Sequence, residues 1–124
     1  MDGSSFDGAS LRDRPVLLWF WAPWCPTCRS QLPEVQRIAS AYGDRLHVVG
    51  VGSLDSRDAI ARFAEQTSDF TVQLVDEKGS IWRHFDITEQ SSFVLLDSEG
   101  KVVHRSGYGG DDDLEREVEA AVRG

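Results

Sequence analysis

Apolar residues along this chain alternate between runs typical of buried strands and spacings typical of amphipathic helices. Residues 15–21 are almost entirely apolar, which predicts a central strand covered on both faces. From Pro26 to Gly43 the apolar positions follow helical spacing, and Pro33 inside this stretch predicts a kink. The same patterns predict strands at 46–51, 73–75, 92–96 and 101–105, and helices after Asp55 or Ser56, at 80–85 and after 111–113.

The connections between these segments are short and polar. Residues 97–100, Asp-Ser-Glu-Gly, predict a hairpin turn, so the last two strands should be antiparallel. Residues 2–14 contain only Phe6 and Leu11 as large apolar anchors and predict a loosely held lead-in. No repeat or linker interrupts the pattern, so we expect one α/β domain over residues 1–124, with 1–5 disordered or added to the natural chain.

Composition narrows the possible functions. A chain of 124 residues, 40% of them hydrophobic, can bury a core without a set of structural disulfides. A net charge of -8 disfavours nucleic acid and anionic membrane surfaces as main partners, because both would repel it. The first residues lack the apolar segment of a signal peptide, and no apolar run reaches the roughly 18 residues of a membrane helix. We therefore expect neither a leader nor a membrane span in this chain.

Both cysteines of the chain, Cys25 and Cys28, lie in one Cys-x-x-Cys motif between the first strand and the first helix. This spacing is typical of a redox pair or a metal pair. A thiolate is best stabilised at the first turn of a helix, where the dipole and the backbone N–H groups favour negative charge. The motif therefore indicates redox chemistry.

Metal and haem are weaker interpretations of the same motif. A zinc site needs two further ligands, and the three histidines, His47, His84 and His104, are isolated from one another in sequence. Attachment of haem needs a histidine after the second cysteine, where this chain has Arg29. We therefore expect no metal and no bound cofactor.

The motif and its surroundings resemble a known family. The stretch Phe-Trp-Ala-Pro-Trp-Cys-Pro-Thr-Cys-Arg at residues 20–29, with Pro33 behind it, is similar to the TlpA/ResA/DsbE-like branch of the thioredoxin superfamily, the extracytoplasmic thiol-disulfide oxidoreductases of bacteria. The resemblance implies a thioredoxin-like α/β fold, with a central mixed sheet and helices on both faces. It also implies an extracytoplasmic location.

The resemblance implies roles for individual residues. Cys25 would be the exposed nucleophile and Cys28 the buried resolving thiol, so the redox-active disulfide would serve as the cofactor. A wall around the sulfur, on which a client peptide would lie, would be formed by Trp24, Pro26, Thr27, Gln90 and Ser91.

Two departures from the family pattern concern the same site. Ser91 stands where the superfamily usually has a cis-proline, either as natural variation or as an introduced substitution, and we expect it to weaken or alter client release. Gln31 and Trp19 stand where relatives carry an acid that takes the proton of the resolving thiol. Glu34 would replace that acid only if the kink at Pro33 turned it inward.

The sequence thus predicts a monomeric thiol-disulfide oxidoreductase acting on protein or peptide thiols, recharged by a membrane redox partner. The missing acid favours the oxidase direction slightly. Two alternatives remain open: a reductase for cytochrome c maturation, and a non-catalytic module that binds clients in the groove near Trp24. A peroxiredoxin is disfavoured because the Pro-x-x-x-Thr-x-x-Cys arrangement is absent around Cys25.

Overall fold

The structure is a computed structural model that describes residues 14–43, 45–65, 72–106 and 114–123. Residues 2–13 of the predicted lead-in and the acidic residues 111–113 lie outside the described residues. The strands are β1 (Val16–Trp21), β2 (His47–Gly52), β3 (Val72–Val75), β4 (Ser92–Leu96) and β5 (Val102–Ser106). The helices are α1 (Pro26–Ala41), α2 (Arg57–Ala64), α3 (Ser80–His84) and α4 (Leu114–Arg123).

The strands form one mixed sheet in the order β3-β2-β1-β4-β5. β1 pairs with β2 in parallel and with β4 in antiparallel register, which aligns Trp21 with Gly52 and Phe20 with Ser92. The carboxyl ends of β1 and β2 and the start of β4 therefore meet at one edge of the sheet. The hairpin predicted at residues 97–100 joins β4 and β5 as expected, with a register irregularity at Leu95 and Leu96.

The apolar run of the sequence becomes the central strand because both of its faces are covered. Trp19 and Trp21 point to a cluster shared with α1, α2 and α4, whereas Phe20 points to a second cluster that contains Trp82 of α3. Every residue of β1 is buried. The predicted fold, a mixed sheet with helices on both faces, is confirmed, and Trp82 is a core residue as expected.

The helix ends show which local signals were decisive. Ser56, rather than Asp55, caps α2, because its Oγ accepts the N–H of Ala59 at 3.2 Å. The N-cap of α3 is Gly79, and the carboxylate of Asp76, which the pattern did not single out, accepts the N–H groups of Ile81 and Trp82 in its first turn. α1 continues through Pro33 as one helix, and the kink expected at Pro33 stays a prediction.

Most element bounds differ from the predictions by one residue. β2 begins and ends one residue later than predicted, β3 begins one residue earlier, and α3 ends one residue earlier. β5 is also shifted by one residue, because the register irregularity displaces its pairing with β4. Bounds of this kind depend on which backbone groups find partners, and apolar spacing carries little information about that.

Gly52 lies where β2 closes against the aromatic side chains of the core. A Cβ at this position would come within 2.6 Å of Trp21 and 2.7 Å of Ile60. We expect Gly52→Ala to lower the free energy of unfolding by about 1–3 kcal/mol, the usual cost of overpacking. Gly50→Ala is the comparison variant and should cost less, because the three atoms nearest its Cβ belong to the end of the Gln73 side chain, so that the hydrogen bond from Trp21 to Gln73 has to adjust and no packed ring has to move. Urea unfolding measures both, and an equal loss in the two variants would contradict the packing explanation.

Candidate active site

The loop after β1 places Cys25 at the N-cap of α1. The Cys25 backbone is extended, and its Sγ accepts the N–H of Cys28 at 3.1 Å. The Cys25 carbonyl accepts the N–H of Arg29 at 3.1 Å, which begins the hydrogen-bond ladder of the helix. One N–H of the first helical turn, that of Cys28, thus points at the first sulfur, and Cys28 lies one turn inside the helix. Both cysteines are free thiols in this structure.

The burial of the two thiols differs from the prediction. Cys28 is fully buried as expected, but Cys25 is only 1% exposed, so its assignment as an exposed nucleophile is wrong for this structure. Both side chains belong to the apolar cluster that contains Ala22 and Trp21. A client sulfur would reach Cys25 only after a neighbouring side chain moves aside.

Burial dominates the acid-base behaviour of the resolving thiol. Removal from water, and after it the hydrogen bond with Cys25, raises the pKa of Cys28 to about 12. The backbone of Ala22 and the hydroxyl of Ser91 act in the opposite direction by hydrogen bonding to the sulfur. Cys28 is therefore a neutral thiol at physiological pH, and its ionisation depends on these few polar contacts.

Ser91 lies directly before β4, at the sheet edge where the cysteine loop begins. No peptide bond among the described residues is cis, so the Gln90–Ser91 bond is trans, and Ser91 has φ of 69°. Its N–H donates to the carbonyl of Phe20 at 2.7 Å. Proline would not fit this backbone, because it lacks the N–H and requires a negative φ.

The Ser91 side chain points inward. Ser91 is fully buried, and its Oγ donates to Oε1 of Gln31 at 2.8 Å. The same Gln31 oxygen accepts the indole N–H of Trp19 at 3.0 Å. Ser91, Gln31 and Trp19 are the positions at which the sequence departs from the family pattern. In the structure Ser91 and Trp19 both donate to the side chain of Gln31.

A mostly apolar surface lies beside the buried sulfur. Trp24 is 51% exposed, and its indole N–H donates to the carbonyl of Leu54 at 2.8 Å. Leu54 is 48% exposed and has φ of 64°, a conformation that is unfavourable for a leucine. Sequence reasoning missed Leu54, because no local pattern separates an exposed loop leucine at a site from any other. Trp24 and Leu54 together are called the apolar platform below.

The other predicted wall residues are distributed around this point. Pro26 is exposed, whereas Thr27 and Gln90 are half-buried. Arg29 stacks over the ring of Phe63 and donates to the carbonyl of Pro23 at 2.8 Å, which fixes the loop before the motif. Glu34 is exposed on α1, so it does not replace the missing acid.

The fold and the site define the class of this protein: a thioredoxin-like domain with a dithiol at the N-terminus of the first helix. The redoxin family profile matches residues 1–122, and the chain belongs to that family. The predicted membership of the thioredoxin superfamily is confirmed.

Relatives with names or solved structures agree with this classification. The soluble secreted antigen MPT53 of Mycobacterium tuberculosis is 33% identical over 100 residues, which are 81% of this chain and 57% of that protein. The thiol:disulfide interchange protein DsbE of Yersinia pestis is 32% identical over 105 residues, which are 83% of this chain and 54% of that protein. This chain thus spans little more than half the length of these relatives.

Among solved structures, MTB DsbF in mixed oxidised and reduced forms superposes with a TM-score of 0.82 and 39% identity, covering 94% of this chain and 87% of that one. The high coverage of both chains shows that the likeness extends over the whole fold.

The described residues contain neither a cluster of metal ligands nor a membrane-spanning helix. In residues 14–43, 45–65, 72–106 and 114–123, no three His, Cys, Asp or Glu side chains gather as a metal site would require. Within the same ranges no helix is long and apolar enough to cross a membrane.

The raised pKa of Cys28 predicts how stability depends on pH. In the unfolded chain a thiol titrates near about 8.5, so between that pH and about 12 the folded state keeps a proton that the unfolded state has lost. We expect the free energy of unfolding of the reduced protein to fall as pH rises from 8 to 10.5. Urea titrations across this range should show a smaller fall in Cys28→Ser, and equal slopes in the two proteins would contradict the assignment.

Proposed function

We propose that this chain is a thiol-disulfide oxidoreductase that exchanges disulfides with protein or peptide thiols through Cys25 and Cys28. The observation that carries the proposal is the cap geometry, in which the Cys25 sulfur accepts a helix N–H at 3.1 Å. The start of a helix directs backbone N–H groups and the positive end of the dipole at this sulfur, whereas the Cys28 sulfur lies one turn deeper. The names of DsbE and of the other relatives support the proposal.

The exchange uses the two sulfurs in sequence. The Cys25 thiolate attacks a client disulfide, one client sulfur leaves as a thiolate, and a mixed disulfide forms. Cys28 then attacks the Cys25 sulfur, closes the Cys25–Cys28 disulfide and releases the second client sulfur. In the oxidase direction the same steps run in reverse, and Cys28 is the leaving group.

The apolar platform is where we propose that a client chain lies. An exposed tryptophan beside an exposed leucine presents apolar area that a client side chain would cover on docking. The hydrogen bond from Trp24 to the Leu54 carbonyl holds the two residues together, so the platform is preformed. Because Cys25, the residue after Trp24, is only 1% exposed, we infer that docking displaces the side chains that cover the sulfur.

The secreted relative MPT53 supports an extracytoplasmic location, where a monomer would be recharged by a membrane redox partner. We favour the oxidase direction, because the neutral Gln31 provides no carboxylate to take the proton of Cys28. The main alternative within the same chemistry is a reductase for cytochrome c maturation. The alternative from another class is a non-catalytic module, and the burial of Cys25 is the observation that favours it.

The redox assay with cysteine variants tests the proposed activity. We expect the purified chain to reduce insulin with a dithiol donor or to oxidise a model dithiol peptide. Cys25→Ser should abolish turnover, whereas Cys28→Ser should accumulate a mixed disulfide visible by mass spectrometry, because the resolving sulfur is absent. A chain with both cysteines intact that binds clients without turnover would establish the binding module instead.

The equilibrium potential of the pair separates the two directions. Equilibration against glutathione buffers should give a potential near that of protein disulfide isomerase, about -180 mV, if the chain is an oxidase. A value near that of thioredoxin, about -270 mV, would overturn the preference and favour the reductase. Alkylation of the free thiols followed by mass spectrometry reads the oxidised fraction directly.

A further inference from the structure

Polar side chains from three separate segments, Gln31, Trp19 and Ser91, meet one helical turn beyond Cys28. Oε1 of Gln31 in α1 accepts the indole N–H of Trp19 in β1 at 3.0 Å and the hydroxyl of Ser91, before β4, at 2.8 Å. Ser91 is fully buried, and hydrogen bonding by its hydroxyl lowers the pKa of the Cys28 thiol. Ser91 and Gln31 thus connect the Cys28 thiol to the indole N–H of Trp19 by hydrogen bonds. Cys28 and Trp19 both belong to the apolar cluster described above.

The donor chemistry of Trp19 orients these hydrogen bonds. An indole N–H can only donate, so it selects the oxygen of the Gln31 amide and not its NH₂ group. That oxygen then faces Ser91 and takes its single hydroxyl proton, which leaves the Ser91 oxygen to accept from the Cys28 thiol. If Cys28 becomes a thiolate, the hydroxyl can turn toward it, because the Gln31 oxygen keeps its bond from Trp19.

We propose that Ser91 is a catalytic residue of this site, whose hydroxyl accepts a hydrogen bond from the Cys28 thiol and donates one to the Cys28 thiolate. Gln31 and Trp19 are the positioning residues that orient it. The proposal rests on the proposed function and assigns Ser91 the part that a neighbouring carboxylate would otherwise play. The Ser91 hydroxyl differs from a carboxylate because it is neutral. It stabilises the Cys28 thiolate by a hydrogen bond and does not take up the proton.

The same contact would serve both directions of exchange. In the reductive direction, the Cys28 thiolate attacks the Cys25 sulfur of the mixed disulfide, the Cys25–Cys28 bond forms, and the electron pair of the broken bond leaves on the client sulfur. In the oxidative direction, a client thiolate attacks Cys25 and the electron pair leaves on Cys28. In the reductive direction the proton of Cys28 goes to solvent or to the departing client thiolate. In the oxidative direction the leaving Cys28 thiolate takes up from solvent the proton that the client thiol released on ionising, and Ser91 stabilises the charged sulfur in both cases.

The surroundings of Cys28 leave few other groups for this task. Burial raises the pKa of Cys28, and Cys25 is the only titratable group among the described residues that shifts it. No carboxylate contributes. The Ala22 backbone and the Ser91 hydroxyl are the contacts that favour the thiolate, and only the second can be removed by substitution.

A two-phase thiol assay isolates the step in which Ser91 acts. The reduced protein is mixed with excess dithiobis-nitrobenzoate, and release of the coloured thiolate is followed by stopped flow. The first phase, attack by Cys25, depends on reagent concentration, whereas the second, attack by Cys28 on the mixed disulfide, is unimolecular and does not. Ser91→Ala keeps the Cβ at this position and removes only the hydroxyl.

We expect Ser91→Ala to slow the second phase about three- to tenfold and to leave the first unchanged. The range reflects a smaller thiolate fraction that is partly offset by the greater nucleophilicity of a more basic thiolate. Ser92→Ala is the matched control, because this adjacent buried hydroxyl donates to the Glu89 carbonyl at 2.8 Å. Ser91→Gly should slow the second phase equally and tolerates the positive φ, so it provides the test if Ser91→Ala fails to fold.

The outcomes separate the role of Ser91 from the proposed function. Two phases in the wild type with an unchanged second phase in Ser91→Ala would overturn the role of Ser91 alone. Equal slowing in Ser91→Ala and Ser92→Ala would overturn it as well, because the loop and not the hydroxyl would then be responsible. No release from the wild type at any reagent concentration would overturn the proposed function and, with it, the role of Ser91.

Discussion

The burial of β1 at the centre of the sheet is the constraint on which the rest of the structure depends. Because β1 is covered on both faces and paired on both sides, its carboxyl end is held in a fixed position by β2 and β4. The chain leaves this end through Ala22 and turns directly into α1, so Cys25 must stand at the start of the helix. The same register brings Ser91 to the Phe20 carbonyl, which places a third segment beside the cysteines.

The burial that builds this site also sets its chemistry. Apolar surroundings stabilise neutral thiols, and the high pKa of Cys28 expresses that preference. In the proposed exchange this buried thiol ionises and needs a polar contact, for which we propose the Ser91 hydroxyl, held by Gln31 together with Trp19. Both thiols are thus shielded from water, and the Ser91 hydroxyl provides a hydrogen bond that favours a charged Cys28 sulfur.

Membership of the redoxin family accounts for the fold and for the position of the dithiol, and the local departures describe what is particular to this chain. Ser91, with a positive φ, stands before β4 where the family resemblance leads us to expect a proline, and Gln31 stands near the second cysteine where it leads us to expect an acid. These two residues are in contact with each other, so they act as one arrangement. Trp24 and Leu54, both exposed and the latter with an unfavourable positive φ, form the apolar platform next to the cysteine loop.

Local patterns in the sequence determined the order of strands and helices, the central place of β1 and the position of the cysteine pair at a helix start. These features depend on side-chain periodicity and on residues close together in the chain. The contact between Gln31 and Ser91, the platform formed by Trp24 and Leu54, and the burial of Cys25 depend on segments up to 60 residues apart. These features are set by the tertiary structure alone, because packing between distant segments determines which polar groups meet and how far the two sulfurs are buried.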